Sequence, residues 1–317
     1  MTPIGIFDSG YGGLTILQKL QERLPQYDYL YLGDNARAPY GSRSFDVVYD
    51  FTRQAVMKLF ELGCHLVILG CNTASAKALR SIQQNDLTAP LPAGSPLLID
   101  SAGTPFDTAG IPFVTDNSPL RIDSDGTAAT ASVTLLSQGR RVLGVIRPTV
   151  EQIGHITQSR HVGYVATEGT VRSMSYELEV AKFFPDVKVS GQACPLWAAI
   201  VEAGEAGSEG ADYFVKKRIM QLLDKDPDID TIILGCTHYP LLMSSLRKAV
   251  PDGIRIIPQG DLVVESLADY FRRHPDMDAR CTKGGVTRFL TTENPDRFKE
   301  CARIFLNHDV EVGHVDL

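Results

Sequence analysis

The chain has 317 residues, with 31 lysines and arginines against 38 aspartates and glutamates, for a net charge of −7. That length suffices for one large or two ordinary α/β domains with ample core, while the acidic balance argues against a general nucleic-acid surface, which needs a basic patch. No run of about 18 apolar residues occurs, so no membrane-spanning helix is expected.

The first segment, PIGIFDSGYGGLTILQKL, reads as a strand over Ile4 to Phe7 and a turn permitted by Gly10, Gly12 and Gly13. A helix follows from about Leu14, with apolar spacing at Leu14, Leu17 and Leu20. The start lacks a basic n-region and an apolar h-region, so no secretory signal is expected. YDYLYLGD is a second strand ending at Asp34, and RSFDVVYDFTRQAVMKLFELG an amphipathic helix closed by Gly63. HLVILGC is a third strand and NTASAKALRSIQQ its helix. Asp86 to Arg141 breaks this rhythm with Pro90, Pro92, Pro96, Pro105, Pro112 and Pro119, and is too long for an ordinary loop. Its apolar pieces, Leu97 to Ile99 and Ile111 to Val114, point to an excursion with short strands or an arm onto a neighbour.

From Val142 the alternation resumes. HVGYVAT is a strand, VRSMSYELEVAKFF and CPLWAAIVEAG are helices, and DTIILGC is a strand. RIIPQGDLVVESLADYFRRH gives a strand and helix, and GGVTRFLTTENPDRFKECARIFL a strand and a capped helix. Apolar strands alternating with helices imply an α/β fold with mostly parallel sheets covered on both faces. Ligands of such sheets bind at the carboxyl ends of the strands. Asp8-Ser9, Asp34 to Gly41, Cys71-Asn72-Thr73 and Cys236-Thr237-His238 all fall at such ends.

The repeated Leu-Gly-Cys of LVILGCNTASAKAL and TIILGCTHYPLL places Cys71 and Cys236 at equivalent strand-to-helix junctions. The simplest geometry is two similar α/β domains facing each other, each offering one strand end to a shared cleft. A cysteine at a helix N-terminus is expected to have a lowered pKa, and the same N–H groups can seat a carboxylate. Ser9, Asn72, Thr73 and Thr237 add donors. Two opposed thiols suit inversion at a carbon, one removing a proton from one face and the other returning one to the opposite face. Asp8 and His238 stand where they could tune or relay those protons.

Plainer readings compete with this one. A cysteine after an apolar run is usually a small core residue. DSGYGG fits neither a GxGxxG nor a P-loop pattern and could serve packing alone. A metal at His238 and Cys236 lacks a second ligand pair at zinc spacing. A redox pair is disfavoured because Cys64, Cys71, Cys194, Cys236, Cys281 and Cys301 contain no CxxC, which leaves free thiols in a reducing, cytoplasmic compartment as the expectation. Cys64, Cys281 and Cys301 read as packing residues.

Through IGIFDSGYGGLTIL, YLGDNARAPYGSRS, ILGCNTASA, TEGTVRSMSYE, ACPLWAAIVEAG, LGCTHYPLL and FLTTENPDRF, the sequence resembles the aspartate/glutamate racemase family over nearly its whole length, apart from 86–141. The resemblance implies a cofactor-independent, two-base racemase interconverting L- and D-glutamate, the D-form feeding peptidoglycan synthesis. It implies two α/β domains related by a pseudo-twofold axis: 1–145 with 258–317, and 146–257. It also implies a homodimer, with no membrane or nucleic-acid partner. By motif, Cys71 and Cys236 would be the acid/base pair, assisted by Asp8, Glu202 and His238. Asp8, Ser9, Pro39, Tyr40, Gly41, Asn72, Thr73, Thr170, Thr237 and His238 would contact substrate. Read without the resemblance, Glu202 is an exposed helix-end carboxylate and Tyr40 an ordinary turn residue. Two departures stand out: the length of 86–141, and Arg147 where relatives usually carry an acidic residue. An aspartate or other amino-acid racemase on the same scaffold, and a binding or regulatory protein retaining the fold, are the alternative readings.

Overall fold

A computed structural model describes residues 2–87, 98–99, 105–106 and 139–317. Outside 80–141 the chain forms one compact unit built on two sheets. The strands of the first are β1 (Ile4–Asp8), β2 (Tyr29–Gly33), β3 (Leu66–Leu69), β4 (Arg141–Gly144), β9 (Thr287–Thr291) and β10 (Val312–His314), in the order β10-β9-β2-β1-β3-β4. Those of the second are β5 (His161–Ala166), β6 (Lys188–Ala193), β7 (Thr231–Gly235) and β8 (Arg255–Ile257), in the order β8-β7-β5-β6. The registered pairs within both sheets are parallel. The strands β1, β2, β3 and β7 are buried along their whole length, as continuous apolar runs covered on both faces must be.

Register gathers the motifs. Asp8 pairs with Gly33 and Phe7 with Leu69, so Asp8, Asp34 and Cys71 leave the first sheet at one edge. Ala166 pairs with both Ala193 and Gly235, so Thr167, Cys194 and Cys236 leave the second sheet together.

Helices α1 (Leu14–Arg23), α2 (Phe45–Glu61), α10 (Gly260–Arg273) and α12 (Pro295–Leu306) lie where the periodicity places them. The Ser44 hydroxyl caps α2 by accepting from the Val47 N–H, and Gly63 ends it at φ +93°. Asn294 caps α12 in the same way. Helices α4 (Ile146–Ile156), α8 (Glu209–Lys225), α9 (Met243–Ala249) and α11 (Pro275–Arg280), with strands β6 and β10, complete the unit.

Three expected helices differ. The one over 72–84 is short: α3 spans Asn72–Lys77, and the chain continues as a turn at Leu79–Ser81 and a π-helix at Ile82–Asp86. The helix expected over 171–184 is two, α5 (Glu168–Arg172) and α6 (Ser175–Phe183), broken by Met174 at φ +54°. There the Ser173 hydroxyl accepts from the Ser175 N–H, and such a local bond competes with the helical ladder. The third, α7, covers only Trp197–Glu202, because the Cys194 N–H still bonds the Ala166 carbonyl beside the sheet. Within the expected excursion, Leu98–Ile99 pairs antiparallel with Pro105–Phe106. An arm onto a neighbour would lie outside the described residues.

The glycine turn after β1 is a place of close approach. A Cβ on Gly12 would collide with Thr237 Oγ1 and His238 Nδ1, and one on Gly13 would stand 2.7 Å from Asp8 Cβ. Thr15 Oγ1 donates to the Thr237 carbonyl at 2.9 Å and fixes the same contact. Because overpacking a closed contact costs about 1–3 kcal/mol, Gly12→Ala is expected to lower stability by about that amount in urea unfolding and to impair activity sharply. A Gly12→Ala protein with wild-type stability and turnover would show that the turn has room to move.

Candidate active site

Cys71 follows β3 and is the N-cap of α3, with Sγ accepting from the Ala74 N–H at 3.5 Å. The Ser9 hydroxyl donates to the same sulfur at 3.3 Å. Asp8, at the end of β1, is buried; its Oδ1 accepts from the Gly10 N–H at 2.8 Å, while Oδ2 has no hydrogen-bond partner among the described residues. Burial raises the Asp8 carboxyl pKa, opposed chiefly by the nearby charge of His238.

Cys236 follows β7. Its Sγ lies 3.7 Å from His238 Nδ1, and His238 Nε2 is 2.8 Å from Glu202 Oε1 at the end of α7. The His238 ring also meets the edge of Phe305 on α12, with centroids 5.5 Å apart. Burial pulls the His238 pKa down, but its bonds to Cys236 and Glu202 outweigh this and raise it to about 10.

The two cysteines belong to one site. Ser9 bonds Cys71 while Gly12, three residues on, abuts Thr237 and His238. Cys236 stands close enough to Cys71 to add to the rise of its pKa. Both residues are 7% exposed.

The expected helix-dipole lowering of the Cys71 thiol needs correction, as does the expected helix start at Cys236. Burial dominates at Cys71 and, with Asp8 adding to it, pushes the thiol up to about 12; the bonds from Ser9 and Ala74 only moderate this. Cys236 does not open an α-helix. Its segment turns into a 3-10 helix at Tyr239–Leu242, with Pro240 in the first turn, and α9 begins only at Met243.

The other candidate residues line the same strand ends. The Thr73, Thr167 and Thr170 hydroxyls form a cluster with separations of 2.9, 3.1 and 3.4 Å. The Gly169 N–H donates to the Gly41 carbonyl at 2.8 Å, holding the 38–41 turn, whose Ala38-Pro39 bond is cis, against α5. Tyr40 is buried and its hydroxyl donates to Asp34, so a ligand contact would have to come from its backbone or ring. Asp34 is further held by Arg37 Nε at 2.7 Å and Thr292 Oγ1 at 2.9 Å. Asn72 is tied to Gln259 and Tyr176. Thr167 opens the TEGTVRSMSYE stretch but is not singled out within it, and Gln259 is an amide outside any recognised pattern. Glu202 was visible only through the resemblance; its helix-end position becomes meaningful because α7 ends against His238.

The six cysteines are all free thiols. Cys64, Cys194 and Cys281 are buried in the core. One group with metal-like spacing exists among the described residues, His161, Asp226 and Asp228. It lies near the opposite ends of the strands, and Asp226 is already paired with His161 at 2.9 Å and Lys188 at 3.1 Å. Arg147 is exposed, paired with Glu151 at 2.8 Å and set over the Phe183 ring.

Residues 141–267 match the family model described as Asp/Glu/Hydantoin racemase. The chain is 37% identical to a glutamate racemase of Roseobacter denitrificans, over 97% of this chain and 98% of that one. A glutamate racemase structure from Bacillus anthracis superposes with a TM-score of 0.76 at 27% identity, covering 100% of this chain and 98% of that one. One from Francisella tularensis, solved in complex with D-glutamate, gives 0.75 at 26% identity, covering 99% and 97%. Fold, site and similarity together define an amino-acid racemase with an α/β architecture of two parallel sheets. The chain belongs to the aspartate/glutamate racemase family, within its glutamate racemase group.

The raised His238 pKa has a consequence for stability. Its charged form stabilises the fold fully below the unfolded value of 6.5, and that contribution is lost as pH rises through about 10. Unfolding measured from pH 6 to 10.5 is therefore expected to show stability declining across this window, with a shallower decline in His238→Asn. Parallel pH profiles for the two proteins would contradict the charged-histidine assignment.

Proposed function

We propose that this chain racemises glutamate by a two-base mechanism, with Cys71 and Cys236 working on opposite faces of the α-carbon. The observation that carries the proposal is the pairing of two buried strand-end cysteines, one from each sheet, in one site with unlike partners. On this reading 1–145 with 258–317, and 146–257, are two domains that each supply one sulfur, and the chain works as a homodimer. Relatives named glutamate racemase and a related structure holding D-glutamate support the choice of substrate.

The unlike surroundings of the two sulfurs set which of them acts as base towards L-glutamate. Cys71, with its pKa pushed up to about 12, is a thiol ready to donate. Cys236 Sγ stands 3.7 Å from His238 Nδ1, so the sulfur becomes a base once its proton passes to the imidazole. Starting from L-glutamate, Cys236 sulfur takes the α-proton and the electron pair spreads into the α-carboxylate. The Cys71 thiol then protonates the opposite face and is left as thiolate. To reset the site, His238 and Glu202 relay the proton gained by Cys236 out to solvent, and the Cys71 thiolate takes one back from solvent. In the reverse direction Cys71 removes the proton from D-glutamate. The backbone N–H groups at the start of α3 and the donors Ser9, Asn72, Thr73, Thr170 and Thr237 bind the substrate carboxylates. They hold the charge that develops on the α-carboxylate, an arrangement in which each 1.36 kcal/mol gives a tenfold rate gain. Asp8, its Oδ2 unpaired, is placed to receive the substrate ammonium or to tune Cys71. No cofactor takes part in these steps. In a bacterial cytoplasm the product supplies peptidoglycan synthesis. Among the described residues, no helix is long and apolar enough to cross a membrane.

A circular-dichroism assay on L-glutamate, with no added cofactor, tests the activity, and rates on L-aspartate tested alongside separate the two substrates. Cys71→Ser and Cys236→Ser are each expected to lose racemisation by about 10³-fold, while the wild type incorporates solvent deuterium at the α-position. Full activity in either variant would refute the two-base assignment.

A further inference from the structure

One buried polar network crosses from one sheet to the other, and its donors can run in only one direction. The Val145 carbonyl can only accept, so the end of Gln259 facing it at 3.1 Å is Nε2 and not Oε1. The two hydrogens of that Nε2 go to Thr149 Oγ1 at 2.9 Å and to the Tyr176 hydroxyl at 3.0 Å, while the Thr149 hydroxyl itself donates to the Val145 carbonyl at 3.0 Å. Gln259 Oε1 must therefore face Asn72, whose Nδ2 donates to it at 2.6 Å. That leaves Asn72 Oδ1 to accept from the Tyr176 hydroxyl at 2.9 Å. Gln259, Asn72, Thr149 and Tyr176 are all buried, where leaving any of these groups unpaired is costly.

We infer that Gln259 is a positioning residue for the racemase site, fixing Asn72 as a donor towards the substrate. The inference rests on the racemase reading above. With one Nδ2 hydrogen given to Gln259 and Oδ1 turned to the Tyr176 hydroxyl, Asn72 keeps its second Nδ2 hydrogen, which suits a carboxylate oxygen. Asn72 directly follows Cys71, while a Tyr176 ring carbon would lie 3.2 Å from a Cβ placed on Gly235, the residue before Cys236. Val145 and Gln259 also stand at the two points where the chain passes between the sheets, after β4 and after β8. Gln259 thus ties both crossings to both sides of the site, although neither periodicity nor motif singles it out.

The test uses Gln259→Met, which keeps the shape and removes both polar ends, and Tyr176→Phe, which removes one hydroxyl. In Tyr176→Phe the ring stacked 4.6 Å from Tyr164 is retained. Both are expected to raise KM for L-glutamate about tenfold, with kcat within about threefold of wild type. A purely structural role would lower the melting temperature and leave KM alone. An unchanged KM, or a loss confined to kcat, overturns the inference. If Gln259→Met fails to fold, the split between KM and kcat in Tyr176→Phe decides by the same criterion. A wild-type protein that racemises glutamate while both variants keep its KM defeats this inference only. A wild-type protein with no glutamate turnover defeats the proposed function, and this inference with it.

Discussion

Gly12 lies so close to Thr237 and His238 that no Cβ fits between them, and Thr15 clamps the same segments through the Thr237 carbonyl. The rest of the site depends on that contact. Each sheet carries one cysteine at a strand end, and neither strand end alone can address two faces of one carbon. The turn that follows β1 reaches the first sulfur through Ser9 and the opposing segment through Gly12. A turn with a larger residue there would separate the halves, and proton transfer tolerates little separation.

Closure has an electrostatic consequence. Burying a thiol, a carboxylate and an imidazole together penalises every charge, so the charges that persist need partners. On one side, Asp8 and burial keep Cys71 protonated. On the other, Glu202 supports a proton on His238 beside Cys236. Two chemically identical side chains thereby sit in unlike surroundings, although the chain presents them in nearly the same local sequence. The helix dipole has little part in this asymmetry: α3 is only six residues long, and no α-helix begins at Cys236.

Around this centre the supporting groups are oriented by bonds that a ligand does not use. Asp34 engages the Tyr40 hydroxyl, Gly41 accepts from Gly169, and Gln259 sets the direction of the Asn72 amide. Each removes one degree of freedom from a residue at the strand ends, so these groups are held in place by the fold itself.

The order of apolar runs and turn residues was enough to determine the α/β class, the parallel strands and the position of the motifs at strand ends. Those features follow from local periodicity and from the burial of both sheet faces. The paired Leu-Gly-Cys stretches likewise singled out Cys71 and Cys236 without coordinates. What the sequence left undecided was set by contacts between distant segments. The break at Met174 and the early end of α3 override good helical periodicity. Glu202 gains its partner only because α7 ends against His238. Gln259 matters through bonds to residues more than 80 positions away. The high pKa of Cys71 is a property of enclosure, which no local pattern records, because burial is decided by the whole fold.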